Sequence, residues 1–266
     1  MIYLLLAFVS LMVLIGGERG IKSLIALCLN LLVLSSLLTL ISWSFNPLLL
    51  TVLASLLISN IILFYQNGKN VKTLASFFSI LLVVLMMILM AFIISYKAKL
   101  GGLNELIQGE AMSFGMSGNM SINMFQIAIA MMITGLMGAS IDTSITISSA
   151  VYEVYRNNPD LSQKQLFQSG IRMGNDILGT TINTLFFAFI GGSMSLFILY
   201  KRFDYTLLEI INSKAFLQET LYIVISAISC ILIIPMTAAV IAYVITHHEK
   251  FQKHLEDDDL FQNEMI

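Results

Sequence analysis

The chain has 266 residues, of which 58% are hydrophobic and only 11% charged, and its mean hydropathy is +0.88. A soluble domain averages about 45–50% apolar and about 25% charged residues, so this composition excludes an ordinary soluble fold. The net charge of −2 gives no support to nucleic-acid binding. Several apolar runs reach the roughly 18 residues that a membrane span needs. The sequence therefore predicts an all-α, polytopic transmembrane helical bundle.

Hydropathy predicts about seven spans, which in chain order are 2–15, 21–43, 48–64, 73–96, 124–151, 175–200 and 220–245. The first is short for a crossing of the bilayer. Gly16, Gly17 and Gly20 separate it from the second span. The pair Asn46-Pro47 makes the next turn, because the residue before a proline avoids the helical conformation.

The distribution of Lys and Arg predicts the orientation. Alternate loops place nine of the 14 basic residues on one side of the membrane and five on the other. Because basic loops stay in the cytoplasm, we expect the C-terminus inside and the N-terminus outside. Residues 1–246 then form the transmembrane domain, and residues 247–266 form a charged cytoplasmic tail.

Two segments raise the question of a metal. Methionine recurs every fourth residue at Met112, Met116, Met120 and Met124, and thioethers suit Cu(I). Methionine more commonly fills irregular gaps, so copper is kept only as an alternative. The tail is rich in histidine, but neighbouring positions on a helix do not face one site. We predict no metal and no cofactor.

The core motif, residues 135–192, holds two polar helix faces. On the fifth predicted span, small and polar residues follow i, i+3 and i+4 steps and so share one face. They are Gly135, Gly138, Asp142, Thr146, Ser149 and Glu153. The sixth span has a matching face made of Arg172, Asp176, Gly179, Thr180 and Asn183. We expect the three glycines to allow close helix packing.

Helix depth separates the two aspartates. If the cytoplasmic helix ends lie near residues 152 and 173, Asp142 and Asn183 are each about 15 Å inside a ~30 Å core and could meet. Asp176 would lie near the surface, where Arg172 can pair with it. The proton-relay candidates are therefore Asp142, Asn183, Thr146, Thr180, Asp176 and Arg172.

Asp142 has two interpretations. A carboxyl group at mid-membrane is favoured in its neutral form, and one that gains and loses a proton there suits a proton-coupled mechanism. Alternatively, a protonated Asp142 only forms a hydrogen bond between helices, which contributes about 1 kcal/mol to their association. The sequence has no H-E-x-x-H, G-x-S-x-G or phosphate-loop motif, so no enzyme activity is predicted.

Three segments carry a family resemblance: GLMGASIDTSITISS, NPDLSQKQLFQSG and GNDILGTTINT, which begin at Gly135, Asn158 and Gly174. Together they resemble the YibE/F family of bacterial membrane proteins. The chain length resembles the YibF type, which implies a YibE-like sister subunit as a partner. The resemblance also implies the bacterial cytoplasmic membrane as the location.

A more distant similarity concerns mechanism. The stretch SIDTSITISSAVYEVYRNN is similar to the proton-relay motif of the SecD/SecF export subunits, whose membrane core is shared with RND transporters. This implies a proton-relay role for Asp142, although Asp176 stands where those proteins have a basic residue. It also implies an RND-type six-helix half-unit with one extra N-terminal span. Such cores pair two halves, so a homodimer or a pair with the sister subunit is expected.

The resulting expectation is a permease-type membrane subunit, proton- or ion-coupled, with an unidentified substrate. The alternative is a non-transporting scaffold that stabilises or regulates a partner complex. A hydrated crevice at Asp142 favours the first, and a dry helix contact favours the second.

Overall fold

The computed structural model describes residues 2–101 and 123–247, and in this part of the chain every regular element is helical. The helices are α1 (Ile2–Ser42), α2 (Pro47–Asn60), α3 (Val71–Lys97), α4 (Met124–Asn157), α5 (Gln163–Gly192), α6 (Met194–Arg202), α7 (Leu207–Asn212) and α8 (Lys214–Thr246). A π-helical segment, Ile61–Gln66, continues α2. The predicted all-α, polytopic fold is confirmed. Met112, Met116, Met120 and residues 248–266 of the tail lie outside the described residues.

Polar residues just before the apolar runs start most of the long helices. The Asn46 side chain accepts from the Leu48 and Leu49 amides, next to Pro47 in the first turn of α2. Asn70 and Thr73 form a reciprocal capping box at the start of α3. These caps satisfy amides that would otherwise lack partners, which is why the predicted turns and the helix starts nearly coincide.

The predicted first two spans form one helix in the structure, α1, with a sharp kink. Gly17 has φ 52° and ψ −135°, a left-handed conformation that suits glycine. Gly20 then packs against the part of α1 before the kink so closely that a Cβ there would collide with the Met12 carbonyl oxygen. The expected break is therefore present, as a kink and not as a loop.

The number of membrane-length helices differs from the expected seven. Five of the helices within residues 2–101 and 123–247 are long and apolar enough to cross a membrane: α1, α2 with its π-helical extension, α3, α4 and α8. A sixth span results if α5 and α6, which meet at 41°, are counted together. The difference arises mainly because α1 covers the first two predicted spans.

The bundle core is built by α3, α4, α5 and α8, with α4 and α8 in contact with each other and with both of the others. Buried hydroxyl groups join α3, α4 and α8. Ser76 bonds Ser148 at 2.9 Å, and Ser144 bonds Thr237 at 2.9 Å. Close packing and interhelical hydrogen bonds of this kind hold membrane helices together, because the hydrophobic effect does not drive helix association within lipid.

Glycines bring α5 against α8. A Cβ at Gly170 would lie 2.6 Å from the Ala238 Cβ, and one at Gly174 would collide with the Ile234 side chain. Helix α5 itself begins at Gln163, after a capping box between Ser162 and Gln165. From there α5 continues directly into the sixth predicted span.

Candidate functional site

The first candidate site is the polar face of α4, which points away from the bundle core. Asp142, Thr146 and Ser149 are all exposed, whereas their neighbours Ser144 and Ser148 are fully buried. Thr146 satisfies its own hydroxyl by donating to the Asp142 backbone carbonyl at 2.7 Å. The carboxylate of Asp142 makes no hydrogen bond within the described part of the chain.

The depth of Asp142 follows from the length of α4. The helix has 34 residues, and Asp142 stands eighteen residues after Met124 and fifteen before Asn157. At about 1.5 Å per residue, Asp142 is roughly 27 Å from the start of a helix about 50 Å long. Any ~30 Å stretch of such a helix that lies in the hydrocarbon core contains Asp142. An exposed carboxyl group at this depth needs water or another protein beside it.

The polar face of α5 is exposed in the same way. Asp176, Thr180 and Asn183 all have high exposure, and Thr180 donates its hydroxyl to the Ile177 carbonyl at 2.8 Å. No hydrogen bond joins Asn183 to Asp142 in the residues described, so the expected pair is not hydrogen-bonded within one chain. Likewise, Arg172 is exposed and forms no ion pair with Asp176 there.

The three glycines predicted to pack helices lie in different surroundings. A Cβ at Gly135 would collide with the Tyr222 ring of α8, so this glycine is in close contact. At Gly138 and Gly179 an added Cβ would meet nothing within 4 Å, and both residues are exposed. Within one chain, the close helix contacts of α5 are made instead by Gly170 and Gly174. Gly138 and Gly179 stay available for another helix.

The second candidate site is a cavity that the sequence reasoning missed. It has a volume of about 660 Å³ and lies between the first half of α4, the last turns of α5 and the first half of α8. Its lining is mostly apolar and includes Met131, Leu185 and Phe189. Two polar groups stand out in it, the carboxyl group of Glu219 and the phenol of Tyr222.

Glu219 is held in the cavity wall by neighbouring groups. It is half-buried, and the side chain of Ser193, at the junction of α5 and α6, lies close to its carboxyl group. The ring of Tyr222, three residues further along α8, lies against Gly135 of α4. A signal existed in the sequence, because Glu219, Tyr222 and Ser226 share one helix face. It was missed because the predicted span began at residue 220, six residues after the start of α8, and so left Glu219 out.

The described residues contain no group of three or more His, Cys, Asp or Glu side chains that could hold a metal ion. Among the predicted methionines, Met124 is described and lines the cavity.

Comparison with known proteins gives one match. A family model described as "YibE/F-like protein" matches residues 4–247. No curated protein and no solved structure matches the chain. The match covers both polar faces and the cavity.

Proposed function

Since the chain belongs to the YibE/F-like family, we propose that it is a permease-type integral membrane subunit, driven by protons or another ion. Asp142 is the proton-carrying group of this proposal, and Thr146 and Asn183 shape its surroundings. The observation that carries the proposal is the exposure of Asp142 at a depth where hydrocarbon would make it costly. A carboxyl group that reaches water within a membrane can change its protonation, which a group sealed in a dry contact cannot.

The same observation supports a partner. A single chain leaves the polar faces of α4 and α5 uncovered, so in the membrane a second subunit completes the site. The occupant is a second copy of this chain or a YibE-like sister subunit. The RND-type resemblance, in which two halves face each other, supports this arrangement. We place the complex in the bacterial cytoplasmic membrane with the C-terminus in the cytoplasm.

The alternative function, a non-transporting scaffold, is favoured by Gly138 and Gly179. These exposed glycines give a partner helix room for a close, dry contact. In the scaffold alternative, Asp142 serves as a hydrogen-bonding group to the partner and no ion moves.

Proton flux decides between the two functions. The protein is reconstituted into liposomes that hold a pH-sensitive dye, with and without a co-purified partner, and a pH step is applied. The transport proposal expects flux in the wild type and none in Asp142→Asn, while assembly on size-exclusion chromatography stays intact. Asp160→Asn, an exposed aspartate in the connector before α5, is the matched control and should conduct normally.

Two results contradict the proposal. One is an assembled Asp142→Asn protein with wild-type flux, which would remove the proton role. The other is a wild-type protein that remains a monomer in detergent and in nanodiscs at all concentrations and co-purifies with no second membrane subunit, which would remove the partner. Cross-linking between single cysteines placed at Gly179 tests the same surface directly, once the native Cys28 and Cys230 have been replaced.

A further inference from the structure

The cavity of α4, α5 and α8 has the properties of a small-molecule site. Pockets that bind drug-sized ligands measure about 300–1,000 Å³, are mostly apolar and carry a few polar groups that orient the ligand. This cavity measures about 660 Å³ and has an apolar lining with one ionisable carboxyl group. A ligand for it therefore has an apolar body.

The charge of the ligand follows from Glu219. Among the described residues that line the cavity, none is basic. The Ser193 side chain lies close to the Glu219 carboxyl group but brings no positive charge to it. A carboxylate in apolar surroundings is stabilised by a cation, so the wall provides the counter-ion for one positive charge.

Aromatic rings lie on two sides of the same space. Tyr222 is fixed against Gly135, and Phe189 approaches from α5. The face of an aromatic ring attracts a cation within about 6 Å, most strongly where water is excluded. Such rings favour a diffuse organic cation over a small hydrated ion, because an organic cation loses little hydration on entering.

We propose that this cavity binds a monovalent lipophilic cation, such as an aryl-substituted ammonium or phosphonium ion, with Glu219 as the counter-ion and Tyr222 as the aromatic wall. The inference names a substrate class for the proposed permease. Only the statement that the bound cation is transported rests on the proposed function. Binding itself requires no ion gradient and no partner.

The test is equilibrium binding to the purified full chain in detergent. Radiolabelled tetraphenylphosphonium is the probe, and tetraphenylborate, which has nearly the same shape and opposite charge, is the comparison. We expect the phosphonium ion to bind, Glu219→Gln to weaken binding at least tenfold, and tetraphenylborate to bind at least tenfold less well than the phosphonium ion. Glu209→Gln, which removes an exposed carboxylate outside the cavity, should bind like the wild type.

A second measurement uses the wild type alone, in case Glu219→Gln fails to fold. A hydrophobic carbodiimide labels carboxyl groups in apolar surroundings, and mass spectrometry locates the label. The phosphonium ion should protect Glu219 from labelling at concentrations that leave the labelling of Asp142 unchanged.

Several results would overturn the inference. They are equal binding of the two probes, wild-type binding in a folded Glu219→Gln protein, and labelling of Glu219 that the phosphonium ion does not slow. An apolar cavity for neutral lipid chains would give the first two. If the protein binds the cation but shows no Asp142-dependent proton flux, only the proposed function is contradicted. If it shows that flux but does not bind the cation, only this site is contradicted.

Discussion

The contact between α5 and α8 at Gly170 allows the sharpest stability test. A Cβ at Gly170 would lie 2.6 Å from the Ala238 Cβ, 3.0 Å from a Val151 methyl group and 3.2 Å from the Ala238 Cα. The Ala238 atoms belong to or adjoin the backbone and cannot rotate away. Carbon atoms normally approach to about 3.5–4.0 Å. Gly170→Ala therefore requires α5 and α8 to separate by roughly 1 Å, the difference between these distances.

The expected change in the free energy of unfolding follows from two opposing effects. A gap of 0.5–1 Å forfeits about a quarter to a half of the dispersion energy across a contact, and overpacked cores typically lose about 1–3 kcal/mol. Replacing glycine by alanine in a helix gains up to about 1 kcal/mol in propensity. Gly179→Ala, on the same helix with nothing within 4 Å, receives that gain without the clash. Gly170→Ala should thus be about 1–3 kcal/mol less stable than Gly179→Ala.

The assay is equilibrium unfolding in mixed micelles of a mild detergent and dodecyl sulfate, followed by circular dichroism. The double variant Gly170→Ala, Ala238→Gly removes the clashing methyl group and should recover part of the loss. Equal unfolding free energies for Gly170→Ala and Gly179→Ala would refute the close approach of α5 to α8. So would a double variant with no coupling between the two positions.

Two further predictions concern hydrogen bonds. Ser140 and Ser229 share a buried hydrogen bond of 2.6 Å between α4 and α8, so each alanine substitution should lower the free energy of unfolding by about 1 kcal/mol. A double-mutant cycle measured by the same unfolding assay should show coupling between the two positions. Additive losses would mean that the bond contributes nothing. The Thr206 amide and hydroxyl donate to exposed Glu209 at the start of α7 and hold the pKa of that carboxyl group below its usual range. A lowered folded pKa means that the stabilisation of α7 is complete above the usual carboxyl pKa and is lost as the pH falls through the folded value. NMR titration of Glu209 should give a pKa in Thr206→Ala that is higher than in the wild type but still below the usual range, because the amide of residue 206 still donates. An unchanged pKa would contradict a contribution from the Thr206 hydroxyl.

The sequence predicted the membrane helices well where local chemistry decides. Apolar length predicted the long helices, and Asn46 marked the start of α2 because its side chain completes the first turn. A break between two spans was expected from the glycines of α1, but whether a glycine gives a loop or a kink depends on how the two halves pack. That packing, Gly20 against Met12, is not encoded in local propensity.

The periodicity of α4 predicted which residues share a face but not which face is buried. Ser140, Ser144 and Ser148 form a second small, polar row on the same helix, and this row packs against α3 and α8. The row that contains Asp142 is exposed on the surface of the bundle. A helix with small residues on two faces can bury either, so only the tertiary arrangement decides. For the same reason the sequence assigns Asp142 and Asn183 to polar helix faces but does not decide whether their side chains bond to each other.

The two candidate sites belong to one side of the molecule. Gly135 lines the cavity, and it shares a helix face with Gly138 and Asp142. The seven residues between Gly135 and Asp142 correspond to about 10 Å along α4. The polar face and the cavity are also neighbours along α5, because Asn183 of the polar face comes shortly before Ala188, which lines the cavity. A partner that covers the polar faces would therefore also come to lie near the cavity. Protonation of Asp142 and occupation of the cavity could then act on one shared contact, which is the physical requirement for coupling an ion to a second ligand.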